Sequence, residues 1–257
     1  GAEIGGALTL VRHRHRRPFA LADLGFAEDL GEHLGLALRA RRSFQRRAQA
    51  AETLQTGVLP RSLPEVPGFE TAAVYHAGTA PRAIGGEFYD LFPTRDGWGF
   101  VLAGASGRGE EGATASALVR GGLRVLSATE GDPVAVVARL NDALVRQETG
   151  TFVMAVVGFV SGDRAARRVR LVSAGHHPVA VLRPDGSVRF TEGGGLPLGF
   201  EPGAEAVAEE LTPAEGETLV LCSDGLVGAR GKGGEAYGEA RLREVLARCA
   251  GQPPAAV

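Results

Sequence analysis

Short apolar runs separated by brief polar joints fill most of the chain after Gly68, and the joints decide the fold class. Strand-like runs lie at 71–75, 87–92, 98–103, 151–160, 168–173, 179–183, 188–191, 206–211 and 218–222. The joint "RPDGSV" at 183–188 carries the Asp-Gly pair of a tight hairpin turn. Strands joined so closely must pair antiparallel, because parallel pairing needs a crossover of roughly a dozen residues. Helical periodicity appears as one pair, 111–128 and 133–147, between strand groups, and once more near the end. The order predicts an α+β domain of antiparallel sheets with helices packed outside.

That domain does not account for the whole chain. The 257 residues allow one large domain plus part of a second. "GALTLVRHRHRRPFALADLGFAEDLGEHLGLALRARR" begins with a strand pattern at Ala7–Val11, turns through a basic loop and enters a helix. A lone strand would be unstable, so residues 1–29 are expected to be the closing strand and helix of a preceding domain. From Leu30 to Val58 one heptad register places Leu30, Ala37, Phe44, Ala51 and Val58 at first positions, with His33, Ala40, Arg47 and Leu54 at fourth positions. This predicts a helical linker over 30–67 that pairs weakly with a second copy, with Phe44 and Leu54 at the seam. A helix lying on its own domain is the alternative. The prolines of "VLPRSLPEVPG" close the linker, and the main domain follows over 68–257.

Composition excludes several functions. The formal charge is −2 and 44% of residues are hydrophobic, which argues against a general nucleic-acid binder. The arginines at 39, 41, 42, 46 and 47 have no interleaved aromatics for base stacking, so a solvated helix face explains them. No apolar run approaches the ~20 residues of a membrane span. Cys222 and Cys249 each sit in apolar surroundings and are expected to be reduced thiols, which suits a cytoplasmic setting.

The chemistry concentrates at glycine-rich joints. "GRGEEG" at 107–112 satisfies a dinucleotide fingerprint, follows a strand and opens a helix. The fingerprint also needs a parallel strand after that helix, and "TEGDP" leads into another helix instead, so the dinucleotide reading fails. "IGGEFYD" at 84–90 places Glu87 and Asp90 beside a glycine pair. "VLCSDGLVGAR" at 220–230 ends a strand in Ser223-Asp224-Gly225. A carboxylate beside glycine at a strand end suits a hard divalent cation, although any one of these pieces alone is more simply a turn. "SAGHHPV" at 173–179 offers His176 and His177 without a third ligand at metal spacing, and reads as a turn.

Taken in order, these pieces resemble the SpoIIE/RsbU-type serine phosphatases, a branch of the metal-dependent type 2C (PPM) protein phosphatases. "GGEFYDLF" resembles the family's G-G-D-[FW]-Y-D motif, "GASGRG" its G-D-V-[SC]-G-K-G motif and "AGHHP" its G-H-P-P motif. "LQTGVLPRSLPEVPGFE", "LNDALVRQ", "GLPLGF" and "LCSDGLVGAR" match as well. The segment before them resembles the end of a GAF sensor domain followed by a linker.

The resemblance implies a PPM-type β-sandwich flanked by helices. It implies two Mn²⁺ or Mg²⁺ ions and a phosphorylated STAS-domain anti-anti-sigma protein as partner in sigma-factor regulation. It also implies the metal ligands Glu87 and Asp224, with Gly86, Ser106, Gly107, Arg108 and Gly109 forming the substrate loop. The family's bridging Asp falls at Gly104, so the main shared ligand is missing, and Glu87 stands where the family has Asp. The last family ligand, in a D-D-x-T segment, has no counterpart before Val257. Metal occupancy is therefore expected to be weak or absent. Three readings follow: a weakly active phosphatase or pseudophosphatase, an active enzyme with rearranged ligands, and a dimerising sensor-output module without catalysis.

Overall fold

The computed structural model describes residues 7–13, 16–76, 85–108, 110–148, 150–162, 167–231 and 233–257, and within these it leaves the side chains of 42–58, 85, 108 and 110 undescribed. The chain divides into two compact units, 1–50 and 51–257.

In the first unit the expected strand at Ala7–Val11 is an irregular segment, with Leu8, Leu10 and Val11 exposed. Among the described residues no neighbour supplies a ladder, and an isolated strand cannot satisfy its backbone. Helix α1 (Leu21–Val58) takes in both the helix expected to close residues 1–29 and the linker helix expected from Leu30, as one continuous element. Its start is fixed locally. The backbone N–H of Ala20 donates to Asp23 Oδ2 at 2.8 Å, the reach-back half of a capping box. Arg12 binds Asp23 at 3.0 Å while its guanidinium lies 4.2 Å from the centre of the Phe19 ring. Phe44 and Leu54 fall on α1, and their side chains lie outside those described.

The second unit has α+β architecture, as expected. Strands β1 (Gly85–Thr94), β2 (Gly97–Arg108), β3 (Val153–Ser161), β4 (Arg168–Ala174) and β7 (Ala208–Leu211) form a five-stranded sheet in the order β1-β2-β3-β4-β7. Strands β5 (Ala180–Leu182), β6 (Val188–Phe190) and β8 (Thr218–Val220) form a second sheet in the order β6-β5-β8. Every pair of named strands is antiparallel. The β5–β6 joint is the expected tight turn, with Gly186 at φ +84° and Arg183 N–H donating to Ser187 O at 2.9 Å.

Pleating sorts the side chains into layers. Phe88 and Phe92 of β1, Val101 and Ala103 of β2, and Val153, Ala155 and Val157 of β3 point to one face. They pack there against Val119 and Leu123 of α2 (Glu110–Ser127) and Val136, Leu140 and Leu144 of α3 (Pro133–Val145). Helix α3 begins on Pro133, with Asp132 as N-cap accepting from Val134 N–H at 2.9 Å. On the opposite face Phe100, Val156 and Leu171 meet Val179, Leu219 and Leu221 of the second sheet's elements. Helix α5 (Gly238–Arg248) covers the outside of that sheet through Leu242 and Leu246, which pack on Ala180, Val188 and Phe190. The unit is therefore a helix–sheet–sheet–helix sandwich. Burying each of these Val, Leu and Phe side chains contributes about 1.5–3 kcal/mol, so the two interlayer cores dominate its stability.

Two further expectations are corrected. Residues 71–75, read as a strand, carry no strand pairing, and Ala72, Ala73 and Val74 are exposed. Apolar alternation alone does not supply a hydrogen-bonding edge. Residues 104–108, read as a loop, continue β2: Gly104 pairs with both Glu87 and Met154, and Ala105 with Gly86 and Val153. The flexibility suggested by the glycines is confined to a bulge in which Ser106 and Gly107 oppose no residue of β1, the register stepping from Gly86–Ala105 to Gly85–Arg108.

Candidate functional site

Glu87 and Asp90 lie three residues apart on β1 and therefore face opposite sides of the sheet. Asp90 points toward α2. Its buried carboxylate accepts from Arg120 Nε at 2.8 Å and from Arg124 Nε and Nη2 at 2.6 and 2.9 Å. Burial pushes this carboxyl up, but the hydrogen bonds from Arg124 and Arg120 and their positive charge overcome it and hold it below its ordinary 3.8. Asp90 thus fastens α2 to the sheet and takes no part in the space between the sheets.

Glu87 points into that space. Its strand partner is Gly104, which is buried. A Cβ built on Gly104 would meet Glu87 Cγ at 3.3 Å and, among the described residues other than its chain neighbours, nothing else within 4 Å. The Glu87 carboxylate extends toward the other sheet, where its Oε1 lies 3.6 Å from the position a Cβ on Gly225 would take. Gly225 follows Asp224, the first residue of the short helix α4 (Asp224–Val227), with Ser223 as N-cap. The fold thus brings Glu87, Gly104 and the Asp224–Gly225 pair to one end of the sandwich.

His176 joins them. It lies in the turn that carries the chain from β4 to β5, opened by Gly175 at φ +72°, and it is buried. Burial pushes its imidazole below the ordinary 6.5, while a contact between Nδ1 and His177 O at 3.2 Å and the negative charges of Asp224 and Glu87 pull it back up. Sequence spacing gave no sign of this electrostatic influence, which depends on the crossover between sheets. The one available signal was the match of "AGHHP" to a family motif. His177 packs edge-on against Phe190 at 6.1 Å, and Arg243 of α5 covers the same ring at 4.6 Å. Cys222, at the exit of β8, is a free thiol pushed up by burial, and Cys249 is also free.

The loop residues have mixed placements. Gly86 and Gly107 serve close packing: a Cβ on Gly86 would lie 2.6 Å from Ala105 Cβ and 3.0 Å from Gly112 O, and one on Gly107 would lie 3.0 Å from Gly112 N. Ser116 Oγ of α2 donates to Gly86 O, so the helix start is locked onto this glycine pair. Ser106 exchanges bonds with Phe152, donating its N–H to Phe152 O at 2.8 Å and accepting from Phe152 N–H on Oγ at 3.1 Å. The side chain of Arg108, and Gly109 altogether, lie outside the described residues.

Among the described residues no three His, Cys, Asp or Glu side chains converge closely enough to hold a metal ion. Glu87 and Asp224 are two oxygen donors without a shared third carboxylate. Two cations a few ångströms apart repel strongly, and a two-ion centre offsets that repulsion with bridging carboxylates. This donor set does not fit such a centre.

Comparison with known proteins places this geometry. The family described as Stage II sporulation protein E (SpoIIE) matches residues 94–257, more than half of the chain. Protein IcfG of Synechocystis sp. is 27% identical over 220 residues, covering 75% of this chain and 34% of its own length. The chain thus spans about a third of that relative. Among solved structures, the SiaA-PP2C domain of Pseudomonas aeruginosa superposes with a TM-score of 0.64 at 22% identity, covering 85% of this chain and 87% of that one. The RsbU and RsbW domains of Rv1364c from Mycobacterium tuberculosis give a TM-score of 0.56 at 24% identity, covering 66% and 47%. At these identities the structural likeness establishes the fold.

Proposed function

The chain belongs to the SpoIIE family of PP2C-type phosphatase domains, and from that premise we propose that it recognises a phosphoserine on a STAS-domain anti-anti-sigma protein and turns it over slowly or not at all. One observation carries this reading: across from Glu87 stands Gly104, with no side chain to share between two ions. The family is generally Mn²⁺- or Mg²⁺-dependent, and those ions supply an activated water and neutralise the phosphoryl oxygens. Recognition does not need that clamp. The Ser106 hydroxyl accepts from Phe152 and keeps its own proton to donate. The phosphate contacts that the family motif implies at Arg108 and Gly109 lie outside the described residues.

A second reading, an active phosphatase with rearranged ligands, draws on the charge that Glu87 and Asp224 exert on the buried His176. The upstream part is proposed as the end of a GAF-like sensor, passing its state through a dimer of α1. The exposed Phe26, one heptad before His33 and so at a fourth position of that register, favours such pairing.

The test is Mn²⁺ titration by calorimetry together with turnover of a phosphorylated STAS protein. At most one weakly bound ion, with binding of the phosphorylated but not the unphosphorylated partner, is the expected result. Two tightly bound ions with multiple turnovers overturn the weak-catalysis reading, and equal affinity for both partner forms overturns phosphoserine recognition.

A further inference from the structure

We infer that Glu87 and Gly104 act as one unit, in which glycine at 104 is the clearance for the Glu87 side chain and the pair delivers a single carboxylate to the side of Asp224. The inference rests on the functional reading above and names what sets its metal capacity.

Nothing in the backbone demands glycine at 104. The residue lies in a regular stretch of β2, paired on both sides with Glu87 and Met154, and it does not adopt the left-handed conformation that favours glycine. Its neighbours differ. Gly86 and Gly107 are hemmed in by the α2 backbone at Gly112, and Gly195 combines φ +74° with a close approach to Ser173 O. At Gly104, among the described residues other than its chain neighbours, the one atom within 4 Å of a Cβ is the Glu87 Cγ, at 3.3 Å, closer than ordinary van der Waals contact. The first contact of a side chain at 104 is therefore with the Glu87 arm.

The arm has a destination. It passes over Gly104 and places Oε1 3.6 Å from where a Cβ on Gly225 would sit, next to Asp224. Neither carboxylate has an ion-pair partner among the described residues. A carboxylate rooted at 104 and one arriving from Glu87 would compete for the same space and repel each other. Adding Asp at 104 while Glu87 remains puts two like charges in a space shaped for one. Shortening Glu87 to Asp removes one methylene and draws its carboxylate back toward β1, leaving room for the second. The two positions are thus coupled, and the Glu–Gly combination limits the site to fewer ions than two facing Asp residues would hold.

Calorimetric titration with Mn²⁺ tests this on Gly104→Asp, Glu87→Asp and the double variant, with folding checked by circular dichroism. Gly104→Asp alone is expected to improve Mn²⁺ affinity less than tenfold and to add no second ion. The double variant is expected to bind two ions, at least tenfold tighter than Gly104→Asp. Equal stoichiometry and affinity in Gly104→Asp and the double variant overturn the inference, as does a folded double variant that binds no ion. Should the double variant fail to fold, metal-free melting decides. Gly104→Ala should lower the midpoint by a few degrees beside Glu87 and leave it unchanged beside Glu87→Ala, and an equal shift in both backgrounds overturns the coupling. The functional reading fails on the unmodified chain alone, by two-ion turnover, whereas this inference fails only on the comparison between variants.

Discussion

Arg124 on α2 grips Asp90 on β1 with two nitrogens, Nε at 2.6 Å and Nη2 at 2.9 Å, while Arg120, one turn earlier, adds a third contact at 2.8 Å. The carboxylate is fully enclosed and the guanidiniums are partly exposed, so the helix is bolted to the sheet through a buried anion with hydrated cations outside. Removing one partner of a buried pair typically costs 3–5 kcal/mol. Because the stranded arginines can turn to solvent, Asp90→Ala should lie at the lower end, about 3 kcal/mol by urea unfolding.

The same contact predicts acid sensitivity. Asp90 is held below its ordinary 3.8 in the folded state by Arg124 and Arg120 against the opposing effect of burial. The unfolded chain therefore binds the proton more readily than the folded one. The stabilisation is fully present above the unfolded carboxylate's value, about 3.9, and disappears as pH falls through the folded one. Melting temperature recorded from roughly pH 6 down to pH 2 should fall more steeply for the natural chain than for Asp90→Asn. Parallel curves would remove Asp90 as a source of the acid transition.

Two glycines on facing strands should respond differently to a methyl group. Gly86→Ala would press its Cβ to 2.6 Å from Ala105 Cβ and to 3.0 Å from the Gly112 carbonyl, so β1 or the α2 backbone must move. Overpacking against backbone costs typically 1–3 kcal/mol, and about 2 kcal/mol is expected here. Gly104→Ala displaces only a half-buried, rotatable Glu87 arm and should cost less than about 1 kcal/mol. Equal losses in urea unfolding would contradict the packing described for the α2 start.

Asn141 on α3 holds the loop that follows β6 from both sides, accepting from Gly199 N–H on Oδ1 at 2.9 Å and donating from Nδ2 to Glu201 O at 2.9 Å. Between these bonds lies Phe200, whose ring meets Phe152 edge-on at 5.8 Å, and Phe152 is the residue that anchors Ser106. Asn141→Ala leaves two backbone groups without partners and should cost about 2 kcal/mol. Hydrogen exchange should show the Gly199 amide losing protection first, with Ser106 following if the ring contact transmits the loosening.

Particular residues show why much of this fold was legible and part of it was not. Phe88, Phe92, Val101 and Ala103 alternate with more exposed neighbours, so β1 and β2 declared themselves through period-2 patterning, and "RPDGSV" declared its turn. Residues 71–75 carry a strand-like composition, but a ladder also needs a partner edge, which no local pattern encodes. Gly104 and Ala105 read as loop because small residues report backbone freedom, whereas pairing to Glu87 and Met154 is decided by the flanking strands. The roles of Glu87 and Asp90 split by pleat parity, visible once β1 is in register. The electrostatic influence of Glu87 and Asp224 on His176 depends on the crossover between sheets, which spacing along the chain does not report.

The linker gives the last prediction. Helix α1 runs from Leu21 to Val58. Its described part leaves Leu24, Phe26, Leu34 and Leu38 exposed, more apolar surface than a helix alone in water keeps without cost. Phe44 and Leu54 stand at a first and a fourth heptad position, where a parallel partner would bury both. Replacing them with Glu places like charges across such a seam and removes its apolar contacts. Phe44→Glu/Leu54→Glu should therefore convert a dimer to a monomer in light scattering at tens of micromolar protein, leaving the melting transition of the sandwich in place, since among the described residues its core clusters draw on none from α1. A natural chain already monomeric at that concentration, or a double variant that stays dimeric, would reduce α1 to a spacer.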